Sequence, residues 1–222
     1  MTDKCSKCGF PLTDRANRCR RCGTVRSETE NITSNAGFLK SDLAKRILVF
    51  LFASAFTLSG FYISLVLSAK PLRYDQKKAV ERSIEILESK GFKQEAFLLR
   101  NLTVFRRDDN WLNASIEKEN AYAATNFPFE ITTLYSDFFV VPTDDVERAA
   151  ILLHESKHLQ GKGEKDAYEF VWKNRDRLGW TMQSYGNSIL WQNVRKQTKE
   201  YSPLLFVCEL NDFEDCTEPH VY

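Results

Sequence analysis

Residues 145–164, DVERAAILLHESKHLQGKGE, decide how the rest of this chain is interpreted. Their apolar run leads into the motif HESKH at residues 154–158. Side chains at positions i and i+4 lie on one face of a helix, so the imidazoles of His154 and His158 can bind the same metal ion. Glu155 stands beside them, where it can reach a water on that metal. The chain has three histidines, and two of them fall in this motif.

The segment resembles the active-site helix of zincin metallopeptidases, whose signature is H-E-x-x-H. The resemblance implies a catalytic zinc held by the two histidines, with Glu155 as the general base that deprotonates a water and returns the proton to the leaving amine. A helix carrying two solvated or core histidines is the structural alternative. A zincin-like domain without turnover is another.

A catalytic zinc needs a third protein ligand, and Glu164 is the best-placed candidate. The run HESKHLQGKGE resembles the metzincin pattern H-E-x-x-H-x-x-G-x-x-H/D, with Gly161 at its glycine. Glu164 stands where metzincins have His or Asp, which is a departure from that family. In gluzincins the third ligand is a Glu from a following helix, so both resemblances lead to Glu164. The alternative ligands are Asp166, Glu169 and His220.

The same resemblance suggests two further roles. An oxyanion in the transition state needs a hydrogen-bond donor, and Tyr168 is the predicted one, with Tyr185 as its alternative. Met182 loosely resembles the methionine turn of metzincins. Packing in the core is the competing interpretation for both tyrosines and for the methionine.

The N-terminal residues 1–26 contain two C-x-x-C-G sequences, with cysteines at positions 5, 8, 19 and 22. A glycine after each pair allows the tight turn that brings two thiolates together. Four such thiolates complete a closed, tetrahedral zinc site, and the segment resembles small zinc ribbons. Two disulfides are the alternative. The basic residues of this N-terminal segment suggest a regulatory or docking module. Nucleic acid is an unlikely partner, because Phe10 is the only aromatic residue there that could stack on a base.

Residues 47–69 contain no charged side chain over 23 positions. A helix of that length spans about 35 Å, enough to cross the hydrocarbon core of a bilayer. A buried core helix or a signal peptide is the alternative, although 46 residues precede this stretch. We therefore predict a single-pass protein of the plasma (inner) membrane.

Two features of the sequence favour opposite orientations of the chain in the membrane. Basic residues after the span outnumber those before it, which favours a cytoplasmic C-terminus. Cys208 and Cys216 instead form a lone pair that could be a disulfide outside the cytoplasm, while four metal-binding cysteines need reducing conditions. We favour a cytoplasmic N-terminus and an external C-terminal domain.

The remaining patterns predict an α+β protein with helices in the majority. The formal net charge is +1, so nothing indicates a polyanionic partner. Residues 27–46 are a predicted linker, and residues 70–222 form the predicted catalytic domain. Helices are predicted over 74–90, 93–101, 145 to about 160, about 164 to 178 and about 186 to 200, and one or two strands over 130–141, whose edge could pair with an extended substrate.

These predictions combine into one functional hypothesis. The chain is expected to be a membrane-anchored, zinc-dependent metallopeptidase that hydrolyses peptide bonds, with one catalytic and one structural Zn²⁺. Its expected partners are the membrane and a protein or peptide substrate. The alternatives are a non-catalytic zincin-like scaffold tethered to the membrane and a zinc-ribbon sensor.

Overall fold

The computed structural model describes residues 4–5, 7–11, 18–25, 36–115, 122–208 and 215–217. The described chain is a helix-rich α+β protein, as predicted, and divides into two compact units, Met1–Ala55 and Phe56–Tyr222. Its elements are α1 (Ala36–Ser68), α2 (Tyr74–Ser89), α3 (Lys93–Asn101), β1 (Val104–Arg106), β2 (Ala123–Asn126), β3 (Ile131–Leu134), α4 (Ser136–Val140), α5 (Asp145–His158), α6 (Glu164–Leu178), α7 (Met182–Tyr185) and α8 (Ile189–Tyr201), with short 3-10 turns at Asn113–Ser115 and Pro203–Phe206.

The helices α2, α3, α5 and α6 occupy the predicted segments. The side chain of Asp144 caps α5 by accepting hydrogen bonds from the backbone N–H groups of Val146 and Glu147, at 2.9 and 3.0 Å. Gly179 ends α6 with φ of +85°, a left-handed conformation that glycine adopts without strain. The last long helix begins three residues later than predicted, at Ile189.

The three strands form one sheet in the order β1-β3-β2, and this corrects two predictions. Residues 130–141 are not strand throughout, because α4 follows β3 and places Phe138 in the core, fully buried. Tertiary packing of Phe138 thus overrides the β propensity of its neighbours. β3 is also the central strand, so its edges are already paired, with β1 in parallel and β2 antiparallel.

The core of the second unit is built around α5. One face of this helix is fully buried, and it packs against α2, α3, α6 and β2. Trp172 of α6 packs with Trp180 and with Trp191 of α8, with ring centroids 4.8–6.5 Å apart. Because α5 is enclosed on several sides, the orientation of its histidine-bearing face is set by the whole core.

Helix α1 is longer than the predicted span and begins inside the segment predicted as linker, since residues 36–46 are helical. Its part from Asp42 to Ser68 is long and apolar enough to cross a membrane, by length and composition. Its last turns belong to the second unit and pack within it: Leu65 is fully buried, and Arg106 Nε donates to the carbonyl of Val66 at 3.2 Å.

The C-terminal segment is held against α6. Cys208 and Cys216 form a disulfide with their Cα atoms 5.0 Å apart. Next to it, the buried carboxylate of Asp215 accepts hydrogen bonds from Trp172 Nε1 at 2.9 Å and from Arg175 at 3.2 Å. Residues 209–214 and 218–222 lie outside the described part of the chain.

Candidate metal centres

A tight turn after α5 returns the chain to the histidine face of that helix. Gly161 adopts φ of +72°, and its N–H donates to the carbonyl of His158 at 2.9 Å. Gly163 then caps α6, so Glu164 is its first residue. The left-handed conformation at Gly161 is what allows two consecutive helices to meet at so short a connection.

This turn brings His154, His158 and Glu164 into one cluster, whose ligand atoms all lie within 4.8 Å of one another. The two Nε2 atoms are 3.0 Å apart. The carboxylate of Glu164 lies 3.1 Å from His154 Nε2 and 3.4 Å from His158 Nε2. Two imidazole nitrogens facing each other so closely would repel through their lone pairs, so the cluster needs a cation or a proton at its centre. These residues could hold a metal ion.

Hydrogen bonds around the cluster influence which of its candidate ligand atoms carry protons. His158 Nδ1 lies 2.9 Å from the carbonyl of Lys162, which can only accept, so Nδ1 carries a proton. In the neutral ring Nε2 is then an unprotonated ligand, the arrangement commonly found around protein-bound zinc. Hydrogen bonds with His154 and His158 hold the pKa of Glu164 well below its ordinary value, so this ligand is ionised. Burial would lower the pKa of His158, but Glu164 and Glu155 outweigh it and raise that pKa to about 9.

Glu155 is buried and held by a hydroxyl from the neighbouring sheet. Thr125 Oγ1, on β2, donates to Glu155 Oε2 at 2.7 Å. The hydroxyl of Thr132 on β3 lies 2.9 Å from that of Thr125, and because Thr125 gives its proton to Glu155, Thr132 must donate to Thr125. The chain of two threonines therefore fixes one carboxylate oxygen of Glu155. Nothing in the sequence pattern pointed to either threonine.

The cluster opens into a cleft of about 740 Å³ between β2, α5, α6 and α8. Glu155 lines this cleft together with the three candidate ligands. The residues of β2 form one wall, and Asn193 of α8 donates to the hydroxyl of Tyr122, the residue before β2, at 2.8 Å. The site is thus a cleft with the residues of β2 in one of its walls.

Tyr168 also lines the cleft. Its ring lies 4.4 Å from that of His154 between centroids, and its hydroxyl donates to Gln197 Oε1. Burial, together with the charges of Glu164 and Glu155, raises the pKa of Tyr168. The tyrosine therefore supports the imidazole by packing; its role as an oxyanion donor stays a prediction.

The other candidates from the sequence lie away from the cluster. Asp166 is exposed, and Glu169 accepts hydrogen bonds from Lys173 and Ser202, both at 2.7 Å. Tyr185 donates to Asp144 at 2.7 Å, at the opposite end of α5, and Met182 packs against the hydrophobic core. His220 lies outside the described residues.

A buried ion pair fixes the middle of the motif. Lys157 Nζ donates to Glu95 Oε1 at 2.6 Å, and both side chains are about nine-tenths buried. The same ammonium lies 3.4 Å from the ring centroid of Phe170. The pair ties α5 to α3, and neither residue lines the cleft. It was not foreseen, because Lys157 occupies a variable position of the motif.

The second candidate metal centre lies in the N-terminal unit. The sulfurs of its cysteines approach in pairs, with Cys5 to Cys22 at 3.6 Å and Cys8 to Cys19 at 3.5 Å. The glycines that follow each pair, Gly9 and Gly23, have φ of +69° and +71°. Their N–H groups donate to the carbonyls of Cys5 and Cys19 at 2.8 and 2.9 Å, closing two equivalent turns. Four free cysteines in this arrangement could hold a metal ion.

In comparisons with known proteins, no family model, no curated protein and no solved structure matches the chain.

Proposed function

We propose that this chain is a membrane-anchored, zinc-dependent metallopeptidase. One observation carries the proposal: His154, His158 and Glu164 converge on a single point inside a cleft whose wall also holds the buried carboxylate of Glu155. Two imidazoles and one carboxylate are a common protein ligand set of zinc peptidases. The H-E-x-x-H sequence, which resembles the zincin active-site helix, agrees with this ligand set.

The chemistry assigns a separate role to each group. Zn²⁺ bound by the three ligands would polarise the scissile carbonyl and acidify a water. Glu155 removes the proton from that water and delivers it to the leaving amine. Thr125 holds Oε2 of Glu155 in place, so in this proposal Oε1 is the oxygen that takes the proton. Tyr122, whose hydroxyl accepts from Asn193 and keeps its own proton, can donate to the developing oxyanion. Tyr168 can do so only by giving up its hydrogen bond to Gln197.

The sheet supports a polypeptide substrate. β2 lies at one edge of the sheet, and among the described residues no strand pairs with its outer side, which lines the cleft. An extended peptide can add to such an edge through backbone hydrogen bonds. β2 therefore takes the substrate-binding role that the sequence had assigned to residues 130–141.

The N-terminal cysteine cluster is, in this proposal, a zinc ribbon with a structural Zn²⁺. Its closed set of four cysteines leaves no position for a substrate, so its function is regulation or docking. We place it in the cytoplasm and the cleft outside, because the cysteine cluster needs reduced thiols whereas Cys208 and Cys216 are bonded.

The test compares Glu155→Gln with the wild type, using the purified full chain in detergent and an unstructured protein as substrate. We expect a fall in kcat of about 10²–10⁴-fold, since a general base is removed. The zinc content should remain two per chain, because Glu155 is not a ligand. Glu85→Gln, the same change on an exposed residue of α2, is the matched control. Equal proteolysis by Glu155→Gln and wild type would refute the proposal.

A further inference from the structure

A single turn of the chain contacts both the end of α1 and the loop of residues 159–163 between α5 and α6. The turn between β2 and β3 contains Phe127 and Phe129. The ring of Phe129 lies 5.2 Å from that of Phe61 on α1, between centroids. Phe127, in the same turn, has a ring atom 3.6 Å from the position that a Cβ at Gly161 would take. One short turn therefore contacts both the candidate membrane helix and the loop that leads to Glu164.

A second connection runs through the loop before the first 3-10 turn. Trp111 Nε1 donates to Ser64 Oγ at 2.9 Å, and its ring meets that of Phe61 edge-on at 5.3 Å. The neighbouring Asn110 is fully buried and donates to Asn126 Oδ1, at the end of β2, at 2.9 Å. All these residues belong to the same compact unit, so the end of β2 and the end of α1 are fixed to each other.

The length of α1 places this cluster at the boundary of a bilayer. Residue 47 is the first of the uncharged run, and about 20 helical residues cross a hydrocarbon core of roughly 30 Å. The core would then end near Val66, beside the point where Trp111 bonds to Ser64. Lys70 follows and pairs with Asp108, in the loop of Trp111, at 2.9 Å. An aromatic layer followed directly by charges is the pattern found at membrane interfaces.

We propose that the Phe61–Trp111–Phe129 cluster lies at the lipid headgroups, and that the cleft takes polypeptide segments within a few residues of a membrane anchor. The substrate part of this inference rests on the proposed peptidase function. β2 runs towards the cluster and ends at Asn126. A peptide added along its free edge therefore has one end at the lipid surface, which suits the juxtamembrane segment of another anchored protein.

The location is tested without any catalysis, through Trp111. It is 48% exposed, whereas the other three tryptophans are at most 2% exposed. The full chain is reconstituted in phosphatidylcholine vesicles with bromine either high or deep on the acyl chains. We expect shallow bromine to quench part of the tryptophan emission, and Trp111→Phe to remove the quenched part. If the emission of the wild type and that of Trp111→Phe are equally insensitive to bromine, the proposed location is overturned.

The substrate class is tested in the same vesicles with two peptides of identical cleavable sequence on a lipid anchor. One has a spacer of about 4 residues and the other of about 20, which reach at most about 14 and 70 Å from the anchor. We expect the short-spacer peptide to be cleaved at least as fast as the long one. A short-spacer rate more than about tenfold lower would place the cleft away from the surface and overturn the inference. No cleavage of either peptide, or of a soluble one, would refute the peptidase proposal instead, while the quenching result still decides the location.

Discussion

The hydroxyl of Thr125 donates a 2.7 Å hydrogen bond to Oε2 of Glu155, across the interface between the sheet and α5. A general base must be held within hydrogen-bond reach of the proton that it takes, and this bond fixes one of the two carboxylate oxygens of Glu155. Thr125 is thus a positioning residue: it acts through Glu155 and not on the substrate.

Removing this donor should lower the rate of catalysis and leave the metal in place. In Thr125→Val, Glu155 loses the hydrogen bond that fixes its Oε2. We expect kcat to fall about tenfold with unchanged KM and zinc content, since a bond to a charged group contributes about 1.5–3 kcal/mol. Thr125→Ser keeps the hydroxyl and should restore kcat. Equal kcat values for the valine and serine variants would contradict this role.

The metal assignment predicts a difference between two neighbouring carboxylates. Glu164→Ala should reduce the zinc content of the full chain from two to one, because a two-histidine site lacks a third ligand. Asp166→Ala removes an exposed carboxylate two residues later and should keep both ions. Zinc is measured by atomic absorption after dialysis. Equal contents in the two variants would remove Glu164 from the site.

The backbone at Gly161 offers a separate test of the same ligand. An alanine there must adopt φ of +72°, at a cost of about 1–2 kcal/mol, although its Cβ would meet only Phe127 at 3.6 Å. We expect Gly161→Ala to weaken zinc binding by up to about tenfold, because relief of the strain displaces Glu164. Gly163→Ala is the matched control, since no atom lies within 4 Å of its added Cβ and its φ is −80°. Competition with a chromophoric chelator measures both affinities.

The buried pair of Lys157 and Glu95 should make the stability of the second unit depend on pH. The ion pair lowers the pKa of Glu95 against the opposing effect of burial, so its stabilisation is present above the ordinary glutamate pKa and is lost as pH falls through the lowered value. Glu95→Gln leaves the ammonium unpaired and should cost about 3–5 kcal/mol.

Thermal unfolding in detergent measures this loss. The double variant Glu95→Leu/Lys157→Met replaces both charges with apolar groups of similar size and should recover most of the stability. A single variant as stable as the wild type would show that the pair does not form.

The six cysteines should separate into two classes by thiol titration. We expect four thiols to react after a chelator removes zinc from the N-terminal cluster, and all six only after reduction, since Cys208 and Cys216 are bonded. With zinc present the four should react slowly, because a metal-bound thiolate is protected. Six reactive thiols without reductant would contradict the disulfide, and four that react equally with and without chelator would contradict the metal cluster.

The sequence by itself determined the features that depend on local geometry. The helical spacing of His154 and His158, and a glycine able to turn the chain back to Glu164, are set within a few consecutive residues. The two cysteine turns, each ended by a glycine with positive φ, are equally local. Most long helices were also predictable, because their periodicity and end signals lie within the segment itself.

Only the tertiary structure decided which distant residues meet these local elements. Glu155 contacts Thr125, 30 residues away, and Lys157 contacts Glu95, 62 residues away, and no spacing rule joins such partners. The strand prediction over residues 130–141 was wrong in its second half for the same reason, since Phe138 is drawn into the core by residues that its own segment does not contain. Local propensities differ by about 1 kcal/mol or less per residue, whereas burying a phenylalanine contributes about 1.5–3 kcal/mol, so packing across the core decides wherever the two disagree.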